Sequence, residues 1–444
     1  MIETDIMIIG GGPGGYETAL YAAGKGLKVV IAEEREVGGT CLNRGCIPTK
    51  SLLHDAAHAS LCNAEPQAEA FKRAMERKQQ VVAGLRQGIA TLLSNPAITL
   101  LQGHAAFVDP KTVSIGEETV KARHVIIATG SKVKMPPLPG IKEPRSSYVF
   151  TSDDLLCAPT LPPTVCVIGA GVIGLEMATM FRDFGCKVDV LEFLSECLPT
   201  VDGEIARRLR KTLEKSGIKI HLSCQVREVN GNEVLYFNTR KKTEERIASD
   251  CILVATGRAP QLDGLQLAAA GIRYDGHGIL VNDDFATDVP EIYAIGDVNG
   301  RQMLAHAATA QGRHAVNRIV GIDDRIRFDI MPAAVFTRPE VASVGLTEDC
   351  ANAQYPDYTV HKGFYRSNGK AQAIEATEGL VKLICDSKQP NAKIVGCHVM
   401  GANAAAIVQE VAALMNFDVT LEQLMDIIHI HPTLNEILLQ AASV

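Results

Sequence analysis

The chain lacks the features that mark several classes of protein. It contains no tryptophan, aromatic residues make up 5% of its 444 residues, and its net charge is -7 without a long block of lysine or arginine. Nucleic acids and anionic membrane surfaces attract clustered basic side chains. The sequence therefore predicts neither nucleic acid nor a membrane as a partner.

Signals for secretion or membrane insertion are also missing. Glu3 and Asp5 stand where a secretory signal would carry basic residues. The most apolar long window, 164–181, is interrupted by three glycines and Glu176, so we interpret it as a buried strand, turn and helix rather than a membrane span. Its 12 cysteines are too sparse for a disulfide scaffold, which predicts a reducing, cytoplasmic environment.

A duplicated motif is the most informative feature that is present. Residues 5–15 and 164–174 each run from an apolar strand into G-x-G-x-x-G. In both copies an acidic residue follows 23 positions after the first glycine, and a later strand ends in Ala-Thr-Gly. Such units hold a pyrophosphate at the helix N-terminus and ribose hydroxyls at the acid. Two dinucleotide sites are predicted, with Gly10, Gly12, Gly15, Glu33, Thr129 and Gly130 in one and Gly169, Gly171, Gly174, Glu192 and Gly257 in the other.

The alternative for each glycine-rich turn is purely structural, since such turns also let a helix pack closely on a sheet. The acid at a fixed distance in both copies favours nucleotide binding. Glu192 would repel a 2′-phosphate, and no arginine occurs within 193–196, so the second site is predicted to prefer NAD to NADP.

Two cysteines form the second feature. Cys41 and Cys46 lie five positions apart, a spacing that fits neither a zinc pair nor a CxxC motif. On an ideal helix their Cα atoms would be about 8 to 9 Å apart, beyond the roughly 7 Å limit for a disulfide. A bridge therefore needs a distorted turn, which Gly45 and Pro48 would allow. Two unrelated buried thiols are the alternative. Arg44, between the two cysteines, is predicted to favour their thiolates.

The third feature lies near the C-terminus. His431 precedes Thr433 and Glu436, which form a T-x-x-E capping box. The box predicts a helix N-terminus, where Glu436 would serve only as a cap. A carboxylate partner would also raise the pKa of His431 and orient it as a base, and the two roles are compatible. The neighbouring His429 is predicted to be structural.

These motifs, with AIGDV at 294–298 and LAHAATAQG at 304–312, resemble the flavin-dependent pyridine nucleotide-disulfide oxidoreductases over nearly the whole chain. Within that family the resemblance is strongest to the dihydrolipoamide dehydrogenase group. It implies an α/β fold with two Rossmann-like dinucleotide-binding domains and a C-terminal α+β dimerisation domain. The implied bounds are 1–145 for the FAD domain, 146–265 for the NAD domain, 266–330 for a central domain that completes the FAD site, and 331–444 for the interface domain.

The resemblance also implies the chemistry. A thiolate of dihydrolipoamide, free or on a lipoyl-bearing protein of a 2-oxo acid dehydrogenase or glycine-cleavage system, would attack one cysteine and displace the other, and electrons would pass through FAD to NAD⁺. The enzyme would be a homodimer. The implied roles are substrate attack at Cys41, contact with the flavin by Cys46, a Lys50–Glu176 pair beside the flavin, and a ribityl contact by Asp297. The base His431 and its partner Glu436 would both come from the other subunit.

Two other classes of function stay open from the sequence. One is a related reductase for glutathione, trypanothione or mercuric ion, against which Glu192 and the absence of a cysteine pair in the terminal QAASV argue. The other is a dinucleotide-binding interaction protein without activity. Retention of Cys41, Cys46, His431 and Glu436 together argues against it.

Overall fold

The structure is a computed structural model that describes residues 1–62, 66–141, 147–389 and 391–443. Its first part contains β1 (Ile2–Ile9), α1 (Pro13–Gly24), β2 (Val29–Glu33), α2 (Gly39–Arg44), α3 (Cys46–Cys62), α4 (Gln67–Leu93), β3 (Ile98–Gln102), β4 (Ala105–Asp109), β5 (Thr112–Ile115), β6 (Glu118–Ile127) and β7 (Ser131–Val133). The next part contains β8 (Val149–Phe150), α5 (Ser152–Leu155), β9 (Thr164–Ile168), α6 (Val172–Asp183), β10 (Lys187–Leu191), α7 (Gly203–Lys215), β11 (Lys219–His221), β12 (Cys224–Asn230), β13 (Glu233–Asn238), β14 (Thr243–Ala248), β15 (Cys251–Val254) and β16 (Arg258–Pro260).

The remaining elements complete the first sheet and form a separate C-terminal layer. Those of the connecting segment are β17 (Tyr274–Asp275), β18 (Gly278–Ile279), β19 (Ile292–Ala294) and α8 (Ala305–Ile319). Those of the C-terminal layer are β20 (Ala333–Val335), β21 (Val341–Gly345), α9 (Glu348–Gln354), β22 (Thr359–Phe364), α10 (Gly369–Ala373), β23 (Leu380–Cys385), β24 (Ile394–Met400), α11 (Ala404–Met415), α12 (Leu421–Met425) and α13 (Ile437–Ala442). Short 3₁₀ turns occupy Leu267–Ala270, Gly296–Asn299 and Tyr365–Ser367.

Two sheets built around parallel strands carry the duplicated motif. The first has the order β3-β2-β1-β6, with β19 parallel to β6 and β5 and β4 added antiparallel. The second has the order β11-β10-β9-β15-β8, and its strands are parallel. Ile6, Met7 and Ile8 in β1 are all fully buried, as expected for a parallel strand covered on both faces.

The two copies fold alike at the level of single hydrogen bonds. The Gly10 amide donates to the Ala32 carbonyl, and the Gly169 amide donates to the Leu191 carbonyl, both at 2.8 Å. After each Ala-Thr-Gly the chain enters a short strand, β7 or β16, and these two strands pair antiparallel with each other. The window 164–181 forms β9 and α6, as the sequence predicts.

The segments between and after the copies also follow the predicted pattern. The predicted helical insert, 51–94, forms α3 and α4. Pro136, Pro137 and Pro139 lie outside helices and strands. Pro144 and the predicted boundary between 145 and 146 lie outside the described residues. Among the described residues, no helix is long and apolar enough to cross a bilayer.

The C-terminal part is a five-stranded antiparallel sheet in the order β20-β21-β24-β23-β22, with α11 and α13 packed on it. This sheet confirms the predicted α+β character of the region. A buried ion pair between Lys382 on β23 and Asp202, at the start of α7, connects the sheet to the second copy of the motif.

Candidate active site

The two cysteines meet where one helix ends and another begins. Helix α2 ends at Arg44, Gly45 leaves helical geometry with φ -147° and ψ -112°, and α3 begins at Cys46. A Cβ atom at Gly45 would lie 3.0 Å from the Thr40 carbonyl oxygen, so a larger residue would force the turn to shift. This break brings the Cys41 and Cys46 thiols close enough for each to change the pKa of the other.

The contact divides the protons of the pair unequally. A hydrogen bond from Cys41 and, against the effect of burial, the charge of Lys50 lower the pKa of Cys46 to about 7. The same hydrogen bond, followed by burial, raises the pKa of Cys41. The reduced pair therefore holds its negative charge on Cys46, at the N-terminus of α3, where the helix dipole also favours an anion.

The charge that stabilises the thiolate differs from the one predicted. Arg44 was expected to favour the thiolates, but its guanidinium binds the carboxylate of Glu36 at 2.9 Å. Lys50, one turn into α3, supplies the charge instead. The prediction for Arg44 is wrong because a nearby carboxylate already neutralises it.

We expect alkylation of Cys46 in the reduced protein to accelerate as the pH rises through about 7, because only the thiolate reacts. Cys41→Ala removes the hydrogen-bond donor and should move this midpoint upward. Peptide mass spectrometry after timed reaction with iodoacetamide gives the rate at Cys46 separately from the rates at Cys157 and Cys350, which are also exposed. A midpoint unchanged by Cys41→Ala would contradict this account.

Lys50 also takes part in a partly buried network. Its Nζ lies 2.7 Å from Oε2 of Glu176 on α6, a residue that is only 4% exposed. The other oxygen, Oε1, accepts a hydrogen bond from the Phe336 amide at 2.9 Å, and the Lys50 ammonium lies 4.6 Å from the Phe336 ring centroid. The structure thus brings Cys41, Cys46 and Lys50 together with Glu176 and Phe336, which come from two other parts of the chain.

Both glycine-rich turns have the donor set of a pyrophosphate site. Helices α1 and α6 begin after Gly12 and Gly171, and neither residue offers a side-chain acceptor to the first amides of its helix. Uncapped helix N-termini of this kind provide backbone donors and a partial positive charge for an anion. The residues present therefore fit the phosphates of two dinucleotides.

The two acidic residues are held in equivalent positions. The Glu33 carboxylate accepts the Gly11 and Arg35 amides at 2.7 and 2.8 Å. The Glu192 carboxylate accepts the Ala170 and Leu194 amides at 2.6 and 2.8 Å. Each carboxylate oxygen retains a second lone pair for a ribose hydroxyl.

A cleft opens beside the first turn and is lined by Gly10, Glu33 and Thr129 among others. Thr129 is fixed by a 2.7 Å hydrogen bond from its hydroxyl to the Gln261 carbonyl. Gly130 and Gly257 both have positive φ and lie directly before β7 and β16. Asp297 accepts a hydrogen bond from Ser131 at 2.5 Å. Burial raises the pKa of Asp297, against the lowering effect of Ser131.

The C-terminal histidine and glutamate are paired. Nδ1 of His431 lies 2.9 Å from Oε1 of Glu436, and Oε2 accepts the Thr433 amide at 2.8 Å. The Thr433 amide, followed by His431, lowers the pKa of Glu436. The predicted reciprocal capping box is only half formed, because the Thr433 hydroxyl donates to the Ile430 carbonyl instead.

His431 projects into solvent, with 79% of its side chain exposed. Within one chain and among the described residues, it forms no hydrogen bond or ion pair with the cysteine turn. Its neighbours Ile428 and Ile430 are exposed apolar residues. His429, in contrast, is buried against Glu410 at 2.8 Å, which agrees with a structural role.

Two features escaped the sequence analysis. Lys382 lies in a strand whose apolar run, LVKLIC, gives no hint of a buried cation. His54 and His58 lie four positions apart in the predicted helical insert, so their spacing on one helix face was a readable signal.

Comparison with known proteins supports one family over the whole chain. Models of pyridine nucleotide-disulphide oxidoreductases match residues 4–312, and models of their dimerisation domain match 331–442. A mitochondrial dihydrolipoyl dehydrogenase of Pisum sativum is 39% identical, covering 99% of this chain and 91% of the relative. A leghemoglobin reductase of Glycine max is also 39% identical, over 99% of this chain and 87% of the relative. The dihydrolipoyl dehydrogenase of Bacillus subtilis is 36% identical, over 98% and 97%.

Among solved structures, the HOCl-induced flavoprotein disulfide reductase RclA from Escherichia coli superposes with a TM-score of 0.89 at 30% identity, covering 99% of both chains. The fold class and the FAD and NAD cofactors predicted from the sequence agree with these matches. The chain therefore belongs to the pyridine nucleotide-disulphide oxidoreductases and is an FAD-dependent disulfide oxidoreductase with the family's dimerisation domain.

Proposed function

We propose that the chain is a dihydrolipoamide dehydrogenase that oxidises dihydrolipoamide, free or protein-bound, with NAD⁺ as the final acceptor. The observation that carries the proposal is the presence of two matched parts: a cysteine pair with its charge on Cys46, and a His431–Glu436 pair suited to deprotonating a thiol. A dithiol substrate needs both, because each of its thiols must become a thiolate before it attacks sulfur.

His431 would act as the base. Glu436 accepts a hydrogen bond from Nδ1–H, which leaves Nε2 as the proton acceptor. Because His431 is exposed on the C-terminal layer beside apolar residues, we propose that it serves the cysteine pair of a second subunit in a homodimer. Each site would then be incomplete in a single chain.

The cysteines would exchange the disulfide with the substrate. One substrate thiolate attacks Cys41 in the oxidised pair, the Cys41–Cys46 bond breaks, and Cys46 leaves as a thiolate near Lys50. The second substrate thiolate attacks the mixed disulfide, closes the lipoyl ring and releases Cys41, which takes up a proton. Bound FAD and NAD⁺ supply the acceptors for the two electrons that the dithiol then carries.

The other predicted residues would hold these cofactors. We propose Gly10, Gly12, Gly15, Glu33, Thr129, Gly130 and Asp297 for FAD, Lys50 with Glu176 beside its ring, and Gly169, Gly171, Gly174, Glu192 and Gly257 for NAD. The domain bounds 1–145, 146–265, 266–330 and 331–444 and a reducing, cytoplasmic setting are part of the same proposal.

An anaerobic titration tests the function. Dihydrolipoamide added to the holoenzyme should reduce it, and NAD⁺ added next should yield one NADH per dithiol oxidised. The kcat/KM for NADH in the reverse reaction should exceed that for NADPH, because Glu192 is buried at the turn and would face a 2′-phosphate. Inertness toward dihydrolipoamide, with turnover of glutathione disulfide or mercuric ion instead, would overturn the substrate assignment.

A further inference from the structure

Two histidines lie side by side on helix α3, away from the cysteine turn. His54 and His58 are both exposed, and their ring centroids are 4.3 Å apart with an interplanar angle of 51°. They occupy positions i and i+4, which place two side chains on one face of a helix. His54 lies eight residues beyond Cys46, about 12 Å along the helix axis, so the pair is separate from the cysteines.

The hydrogen bonding of the pair leaves nitrogen lone pairs available. Nδ1 of His58 lies 2.8 Å from the His54 carbonyl oxygen, to which it donates, so the lone pair of His58 is on Nε2. A backbone carbonyl that fixes the ring in this way is the usual outer partner of a metal-binding histidine. The adjacent carboxylate of Asp55 is bound by Arg77 at 3.0 Å and does not compete for the imidazoles.

The ring separation suits a shared ion. Imidazole nitrogens bind first-row divalent ions at about 2.0 to 2.1 Å, which puts each ring centroid about 3.2 Å from the ion. Two such rings at a metal angle of about 90 to 110° have centroids about 4.5 to 5 Å apart. The observed 4.3 Å is close to this separation, and both side chains are exposed and can turn toward a shared ion.

We propose that His54 and His58 form a surface site for a divalent transition-metal ion that favours imidazole ligands, such as Ni²⁺ or Zn²⁺. The two rings occupy adjacent coordination positions, and water fills the others. Groups of three or more metal-ligating side chains are not found among the described residues, so this is a two-ligand site. It does not depend on the proposed dihydrolipoamide activity.

Titration calorimetry of the flavin-loaded protein with Ni²⁺ tests the site. Ni²⁺ is the probe because it binds imidazole without oxidising or being reduced by the cysteines. We expect one ion per chain at saturation. Losing an outer partner of a metal ligand typically costs about 10- to 100-fold in affinity, so losing a ligand itself, in His54→Gln or in His58→Gln, should weaken binding at least tenfold.

Two further variants keep the result specific. His277→Gln removes a lone exposed imidazole elsewhere and should leave the affinity unchanged, as should the double variant Cys41→Ser, Cys46→Ser. Flavin absorbance and the thermal midpoint confirm that each variant is folded. Absence of saturable binding, equal weakening by His277→Gln, or loss of the site in the cysteine variant would each overturn the proposal.

Discussion

Replacing His431 with glutamine should lower the rate of dihydrolipoamide oxidation by about 10²- to 10⁴-fold, the usual contribution of a general base. Glutamine preserves polarity and approximate size, but it cannot accept a proton from a thiol at neutral pH. Because His431 lies on an exposed turn and Glu436 keeps its bond to the Thr433 amide, the fold and the bound flavin should be unaffected. Steady-state kcat with NAD⁺ measures the loss of rate, and the flavin absorbance of the purified variant shows whether the flavin is still bound.

His429 provides a matched control two residues earlier in the chain. It is also bound to a carboxylate, that of Glu410, but it is buried rather than exposed. His429→Gln should therefore lower the thermal midpoint, whereas its turnover should stay well above that of His431→Gln. Glu436→Gln should fall between the two in activity, since an amide oxygen still accepts from Nδ1–H of His431 but carries no charge. Near-normal turnover of His431→Gln would refute the assignment of the base.

Much of the fold can be predicted from the sequence because it depends on the local pattern of glycines, apolar residues and acids. Gly10 and Gly169 each follow an apolar, β-branched strand, and the acids Glu33 and Glu192 recur at one distance, so the sequence alone aligns the two turns. The distortion at Gly45 also followed from simple helix geometry, since an undistorted helix keeps the two sulfurs apart.

The sequence-based predictions fail where a side chain has several potential partners and sequence spacing does not show which one it binds. Arg44 lies closer in sequence to each cysteine than Lys50 does, yet its guanidinium binds the carboxylate of Glu36. Thr433 was expected to cap a helix, but its hydroxyl bonds backward to Ile430. The sequence makes no prediction for the buried Lys382, because its carboxylate partner Asp202 lies 180 positions away. Long-range charge pairing is set by packing, which periodicity does not reveal.

Lys382→Met should destabilise the folded chain by about 3 to 5 kcal/mol, the usual cost of removing one partner from a buried ion pair. Its Nζ lies 2.9 Å from Oδ2 and 3.0 Å from Oδ1 of Asp202, and both side chains are only 1% exposed. The same ammonium also contacts the carboxylate of Glu348. Its Nζ also lies 3.6 Å from Oε2 of Glu204, so without it three carboxylates are left close together at the junction between the C-terminal sheet and α7. The shift of the urea unfolding midpoint measures the loss.

The pH dependence of this deficit identifies its cause. Although burial opposes ionisation of Asp202, the hydrogen bond from Lys382 keeps its pKa below the ordinary value. Burial likewise opposes the charge of Lys382, but Glu348 and Asp202 raise its pKa overall. The pair therefore contributes fully above the pKa of an unfolded aspartate, about 3.9, and below that of an unfolded lysine, about 10.4. In Lys382→Met the stranded Asp202 can be protonated in mild acid, so the deficit should be largest at neutral pH and shrink as the pH falls.

Two variants separate a buried charge from lost packing. Lys362→Met removes a half-exposed cation that binds Glu204 at 2.8 Å, and it should cost no more than about 1 kcal/mol. Adding Asp202→Asn to Lys382→Met removes the stranded charge, while the asparagine oxygen can still cap the Glu204 amide at the start of α7. The double variant should therefore recover part of the lost stability. If it is no more stable than Lys382→Met alone, or if the deficit of Lys382→Met is independent of pH, the loss comes from packing rather than from an unpaired buried carboxylate.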